Sequence, residues 1–192
     1  MTLDVNSAVW AFFSWGRPFQ LVSPLLDCSS PKTTPIQIEC GDPFSAILTR
    51  SGAVYVWSSS WGTFKDQYRK AMAKLDSDES TKAIVPKGET VIPCHTWEMN
   101  VDLIKLPTLP DLPNLPATGL PEKEHRKETK LIKIAAGYGF IVGLTNKGHV
   151  LKIDGINKDE NIGTWYYVSE RVYGYSGSFS ETMICSCQNS LR

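Results

Sequence analysis

Two segments of this chain repeat one another, and the repetition restricts the fold more than any other feature. Ile36–Trp57 reads IQIECGDPFSAILTRSGAVYVW, and Ile132–Ile153 reads IKIAAGYGFIVGLTNKGHVLKI. Aligned without gaps, 96 residues apart, they match at Ile36/Ile132, Ile38/Ile134, Gly41/Gly137, Phe44/Phe140, Leu48/Leu144, Thr49/Thr145, Gly52/Gly148 and Val54/Val150, eight of 22 positions. Each copy predicts three short strands. The first is an I-x-I alternation of period two. A turn at Gly41 or Gly137 leads to a mostly apolar strand, FSAIL or FIVGL. The turn T-R-S-G or T-N-K-G follows, and its glycine (Gly52 or Gly148) supplies the positive φ of a tight hairpin. The last strand is AVYVW or HVLKI. A partial third copy opens the chain: Val9–Phe12 (VWAF) resembles Val54–Trp57, and Trp15-Gly16 matches Trp61-Gly62 with one residue of slip. Such units cannot bury their faces alone and must stack. The expected fold class is all-β: a partial β-propeller, about two blades plus part of another, with one short helical insertion.

The spacing between copies is too long for one blade, and the extra length lies between Thr63 and Lys130. Phe64, Tyr68, Met72 and Leu75 fall at helical spacing, with Lys65, Arg69, Lys70 and Lys74 between them, which predicts one amphipathic helix packed on the propeller rim. Asp76–Ser80 reads as an acidic loop and Glu122–Lys130 as a solvated mixed-charge segment. LPTLPDLPNLP, residues 106–116, sets Leu106, Leu109, Leu112 and Leu115 each before a proline. Helix and central strand are closed to it, whereas polyproline II would line the leucines along one edge. That edge is a partner strip, part of a stiff linker, or a strap over the chain's own core; the strap is preferred because leucines favour burial. The expected organisation is a partial blade over 1–30, a repeat over 31–64, the insertion over 65–130, a second repeat over 131–167, and a tail over 168–192 that loses the pattern.

Lys+Arg and Asp+Glu both number 20, for a net charge of zero, which argues against a broad electrostatic grip on nucleic acid or membrane. The apolar run Ala8–Phe13 is too short to span a bilayer and follows Asp4 rather than a basic residue, so it predicts neither a span nor a signal peptide. Five widely spaced cysteines predict reduced thiols and a cytoplasmic or nuclear protein. Catalytic constellations fail one by one. Gly137-Tyr138-Gly139 with Gly143 misses the dinucleotide spacing and leads into a strand. Gly174–Gly177 lacks nucleophile-elbow spacing. Cys94-His95 are adjacent, so on extended chain they point apart. Cys185 and Cys187 are two ligands, not four. His125 and His149 read as solvated. The expectation is no enzyme, no cofactor and no metal site.

The pattern I-x-I-x-x-G-x-x-F-x-x-x-L-T-x-x-G-x-V-Y-x-W resembles the regulator of chromosome condensation repeat, with Cys40 and Ala136 as the small residue before the glycine. The tryptophan-glycine that usually closes the last strand is Trp57-Ser58 in one copy and Ile153-Asp154 in the other. The family's histidine near the second strand is also replaced. The resemblance implies a seven-bladed ring, of which this chain holds a part. VWAFFSWGRPFQLVSPLLD followed by TTPIQIECG is most similar to the F-box branch of the family, adaptors of cullin ubiquitin ligases. It implies a protein substrate and a ligase scaffold as partners, or, as in the family's founder, a small GTPase. No F-box-like helical segment precedes Val9. Val168-Ser169-Glu170 is compatible with a splice-donor codon string, so the tail is expected to be translated intron or an alternative exon, and the chain a fragment. Open blade edges predict low solubility.

Overall fold

Strand sequences in the repeat over 31–64 explain the architecture. SAILT (β5, Ser45–Thr49) and VYVW (β6, Val54–Trp57) have no polar alternation, because their sheet is covered on both sides. Ala46, Leu48, Val54 and Val56 bury into one apolar cluster, and Ile47, Tyr55 and Trp57 into another. The computed structural model describes residues 1–12, 17–58, 64–77, 96–112, 128–156 and 162–168. Outside the described residues lie Trp15-Gly16, Trp61-Gly62, Cys94-His95, Leu115, His125, Gly174–Gly177, Cys185 and Cys187.

Among the described residues, twelve strands form three four-stranded sheets that stack as blades. Blade 1 comprises β1 (Thr2–Leu3), β2 (Val9–Phe12), β3 (Pro18–Val22) and, parallel to β3, β7 (Trp97–Asn100). Blade 2 comprises β4 (Pro35–Cys40), β5, β6 and β8 (Ile104–Lys105). Blade 3 comprises β9 (Leu131–Ala136), β10 (Phe140–Thr145), β11 (Val150–Asp154) and β12 (Tyr166–Tyr167). Blades 2 and 3 are antiparallel meanders. The sheets form an open arc, a partial propeller as the sequence implied. One core lies between blades 1 and 2, built on Val9, Ala11, Phe19, Leu21, Ile47, Tyr55, Trp57, Phe64 and Met99. The other lies between blades 2 and 3, built on Leu48, Val54, Val56, Ile134, Ile141, Leu151, Ile153 and Trp165.

The repeat is three-dimensional. In both complete copies the Arg50 or Asn146 N–H donates back across the blade, to Thr34 O at 2.9 Å and to Lys130 O at 2.9 Å. Both copies also carry the same β-bulge, between Pro35 and Gln37 and between Leu131 and Lys133. The bulge corrects the I-x-I expectation. The first isoleucine is the bulged residue, so Ile36 is 40% exposed and Ile132 46% exposed, while Ile134 is buried.

The third copy is also present, and its hairpin extends further than the sequence match. Asp4 N–H donates to Ala8 O at 3.0 Å, as Thr49 does to Ala53 and Thr145 to His149, each at 2.9 Å. Gly52 and Gly148 have φ of 89° and 83°, and Ser7 takes the same place at 63°. The outermost pairings agree too: Trp10, Tyr55 and Leu151 face Gln20, Lys105 and Tyr167. β1–β2–β3 therefore hold the second, third and fourth blade positions, and β7 adds a fifth at the rim.

Between β6 and β7 runs α1 (Phe64–Ser77), at the predicted apolar spacing and free of glycine and proline. Asp66 in its first turn and Lys74 in its last suit the helix dipole. Phe64 is buried, edge-on to Trp57 at 5.0 Å and 5.7 Å from Phe19, which anchors the helix on the rim. Arg17 Nη1 meets Asp76 Oδ1 at 2.6 Å near the other end.

The four repeat glycines have two different reasons. Gly52 and Gly148 supply positive φ. Gly41 and Gly137 lie under a phenylalanine ring: a Cβ on Gly41 would sit 2.8 Å from Phe44 Cζ and 2.6 Å from Gly137 O. A Cβ on Gly148 would meet nothing within 4 Å. We expect Gly148→Ala to cost about 1–2 kcal/mol, the backbone strain alone, and Gly41→Ala to cost clearly more. Urea denaturation of the two variants checks the order; equal losses would contradict the steric reading.

Candidate protein-contact surface

Strand faces in blade 2 are consumed by the two cores, so the surface available for chemistry or contact lies on loops, blade edges and the outer faces of the end blades. One loop feature is a hydrogen-bonded double turn where blades 2 and 3 meet. Gly41 N–H donates to Phe44 O and Gly137 N–H to Phe140 O, each at 2.9 Å, closing two matching turns. The turns are then bonded to each other. Asp42 N–H donates to Gly137 O at 3.3 Å, and Gly139 N–H to Asp42 O at 3.0 Å. Ile156 N–H adds a bond to Gly139 O at 3.0 Å. Tyr138 is held between these anchors with its side chain 72% exposed, beside exposed Asp42 and Pro43. A turn whose backbone is already fixed has less entropy to lose on contact, and tyrosine is a residue enriched at binding hot spots.

Below the double turn the blades are clamped by one side chain. Gln37 Nε2 donates to Ile134 O at 2.7 Å, and Gln37 Oε1 accepts from Ile134 N–H at 3.0 Å. A side-chain amide, with its donor and acceptor side by side, can give and take in this way. No repeat match marks it, because Gln37 sits at a non-matching position of the repeat.

The leucine-proline segment joins the core on its first turns. Leu106 is buried, Leu109 and Leu112 pack half-buried against the cluster between blades 2 and 3, and Trp165 Nε1 donates to Pro107 O at 3.0 Å. These three leucines cover their own chain. A cleft of about 330 Å³ runs beside them, lined among others by Lys105, Glu128, Lys130 and Trp165.

His149 corrects the expectation of a solvated histidine. It is 1% exposed, against the edge of the Tyr167 ring at 5.8 Å, and its Nδ1 has no hydrogen-bond partner among the described residues. Burial first, and then the Lys147 charge, push its pKa below the ordinary 6.5. On the outer face of blade 3, Lys152 Nζ bonds Asp154 Oδ1 at 2.8 Å and lies 4.7 Å from the centre of the Phe140 ring, while the Tyr166 hydroxyl donates to Asp154. The two hydrogen bonds and the Lys152 charge outweigh burial and hold the Asp154 carboxyl below its usual range. Lys152 is held charged, chiefly by its bond to Asp154. This is a satisfied ion pair, not an acid–base pair. No group of three or more metal-ligating side chains lies together among the described residues. No helix there is long and apolar enough to cross a membrane. Cys28 and Cys40 are exposed free thiols, and burial with the Asp4 and Asp27 charges raises the Cys28 pKa, away from the reactive thiolate.

No protein-family model matches the chain, and no curated protein matches it. Among solved structures it is similar to human WBSCR16, at 19% identity and TM-score 0.35, over 79% of this chain and 29% of that one. It is also similar to the structure of Kap60 bound to yeast RCC1 (Prp20), at 14% identity and TM-score 0.36, over 86% of this chain and 29% of that one. The chain thus spans less than a third of the length of these structures.

The buried histidine sets a pH dependence of known sign. With its folded pKa depressed, its contribution to stability is complete above the unfolded value of 6.5 and is lost as pH falls from there toward the folded value. We expect the melting temperature to fall as pH is lowered through 6.5 toward 5. His149→Ala, which installs the residue present at the equivalent Ala53, should flatten that slope. An unchanged slope in the variant would contradict the assignment.

Proposed function

We propose that this chain is a non-enzymatic protein-interaction module, the propeller part of an adaptor that recruits protein substrates to an SCF-type ubiquitin ligase. The observation that carries the interaction reading is the double turn: a backbone-anchored ridge that presents Tyr138 at 72% exposure beside Asp42 and Pro43. It is shaped for contact with another protein rather than for chemistry. A zero net charge supports a protein partner over nucleic acid or a membrane surface. The ligase part of the reading rests on the resemblance of the repeats and their leading segment to the F-box branch, and a cytoplasmic or nuclear location rests on the five widely spaced cysteines. The alternative, a regulator of nucleotide exchange on a small GTPase, rests on the same repeat resemblance.

Affinity capture of the tagged chain from cells, with substitution of the exposed tyrosine, tests the reading. We expect a substrate protein, ubiquitinated in the same cells, to co-purify with the chain. Tyr138→Ser should weaken substrate capture at least about tenfold while leaving the melting temperature unchanged. Acceleration of GDP release from a purified small GTPase, with no ubiquitinated protein captured, would overturn the adaptor reading in favour of the exchange regulator.

A further inference from the structure

The two ends of the arc carry the two halves of one blade junction. In blade 2, Ala46, Leu48, Val54 and Val56 form the leading face, buried against blade 3. Their counterparts in blade 3 are Val142, Leu144, Val150 and Lys152. Leu144 pairs with Val150 and Val142 with Lys152, so all four share one face of the sheet. No blade lies on that face among the described residues: Val150 is 40% exposed, and Val142, Leu144 and Lys152 are half-buried. On the trailing face of blade 2, Tyr55 and Trp57 bury against blade 1. Their counterparts on β2 are Trp10 and Phe12, half-buried and 54% exposed respectively.

We propose that a second copy of this chain docks head to tail, with its Trp10–Phe12 face on the Val142–Leu144–Val150 face of the first. The junction continues one the chain already makes twice, since leading face meets trailing face between blades 1 and 2 and again between blades 2 and 3. Two departures from the internal repeat fit an intermolecular version. Gln37, the clamp, is replaced in blade 3 by Lys133, which donates but cannot accept, so this junction is held by packing and not by an amide locked onto a strand. Val56 is replaced by Lys152, already ion-paired to Asp154 on its own strand, and the trailing face of blade 1 offers a polar surface to that pair, Gln20 and exposed Glu98, paired with each other on neighbouring strands. The contact is heterologous, so it closes into a ring, at two copies where six blades complete the circle, or propagates as a filament. It stands on the repeat geometry and is independent of the adaptor reading.

Sedimentation equilibrium of the full chain across a concentration series tests it, with one variant for each face. Phe12→Glu disables the trailing face and Val150→Glu the leading face. Both positions are exposed, so both variants should fold; if either fails to melt cooperatively, serine replaces glutamate at that position. We expect the wild-type mass to rise with concentration to at least twice 21.4 kDa, and each variant alone to remain monomeric. An equimolar mixture should form dimers and nothing larger, because one intact junction remains between unlike chains. A wild-type chain that stays monomeric, variants that assemble like wild type, or a mixture that stays monomeric would each overturn the proposal.

Discussion

Burial of blade 2 on both faces is the constraint from which the rest of the structure follows. Alternate side chains of β5 and β6 point in opposite directions, and both directions end in a core. A one-residue slip of either strand would still present apolar groups to both sides, so side-chain pattern alone does not fix the register. The flanking devices do: the bulge at Ile36, the hairpin closed by Gly52, and the turn closed by Gly41 under Phe44. Blade 3 repeats all three. The Gln37 amide then joins the two blades along their innermost strands, below the backbone bonds of the double turn.

The same turn is built three times with different chemistry. In blade 3, Thr145 Oγ1 accepts from the N–H groups of Lys147 and His149. In blade 1, Asp4 Oδ1 accepts from Asn6 and Ala8, the equivalent pair, at 2.8 and 2.9 Å, and Oδ2 accepts from Trp10 Nε1. Those hydrogen bonds, Trp10 first, lower the Asp4 pKa. The extra local bonds accompany a serine in the left-handed region, where the other copies use glycine. What repeats is a backbone shape, and sequence identity records it only where one residue type serves it best.

That explains how far the sequence was legible. Three strands of each of two blades, the hairpin glycines and the helix from Phe64 to Leu75 could be read, because each leaves a periodic or a steric mark; the helix runs on to Ser77, into the stretch expected as an acidic loop. The first hairpin could be read only on its return strand, VWAF, because Asp4 and Ser7 had replaced the threonine and glycine that mark the turn. The fourth strands were invisible: Ile104–Lys105 and Tyr166–Tyr167 are two residues each, too short for any period. β7 pairs in parallel with a strand far earlier in the chain, which local patterning cannot encode. The Tyr138 ridge was legible as a glycine turn and not as a surface, since its exposure depends on the bonds from Asp42 and Ile156. His149 was misread because a histidine beside a turn glycine looks solvated until Tyr167 folds across it.

The account makes blade 2 the keystone of the arc, and residue-resolved native-state hydrogen exchange tests that most directly. The amides of Ile47, Tyr55 and Val56 should be the slowest in the chain and should open only with global unfolding. The amides of β12, at the rim of blade 3, should exchange by local opening at much lower free energy. Protection in β5 and β6 no greater than in β12 would show that the blades are not locked through their middle member, and would contradict the account.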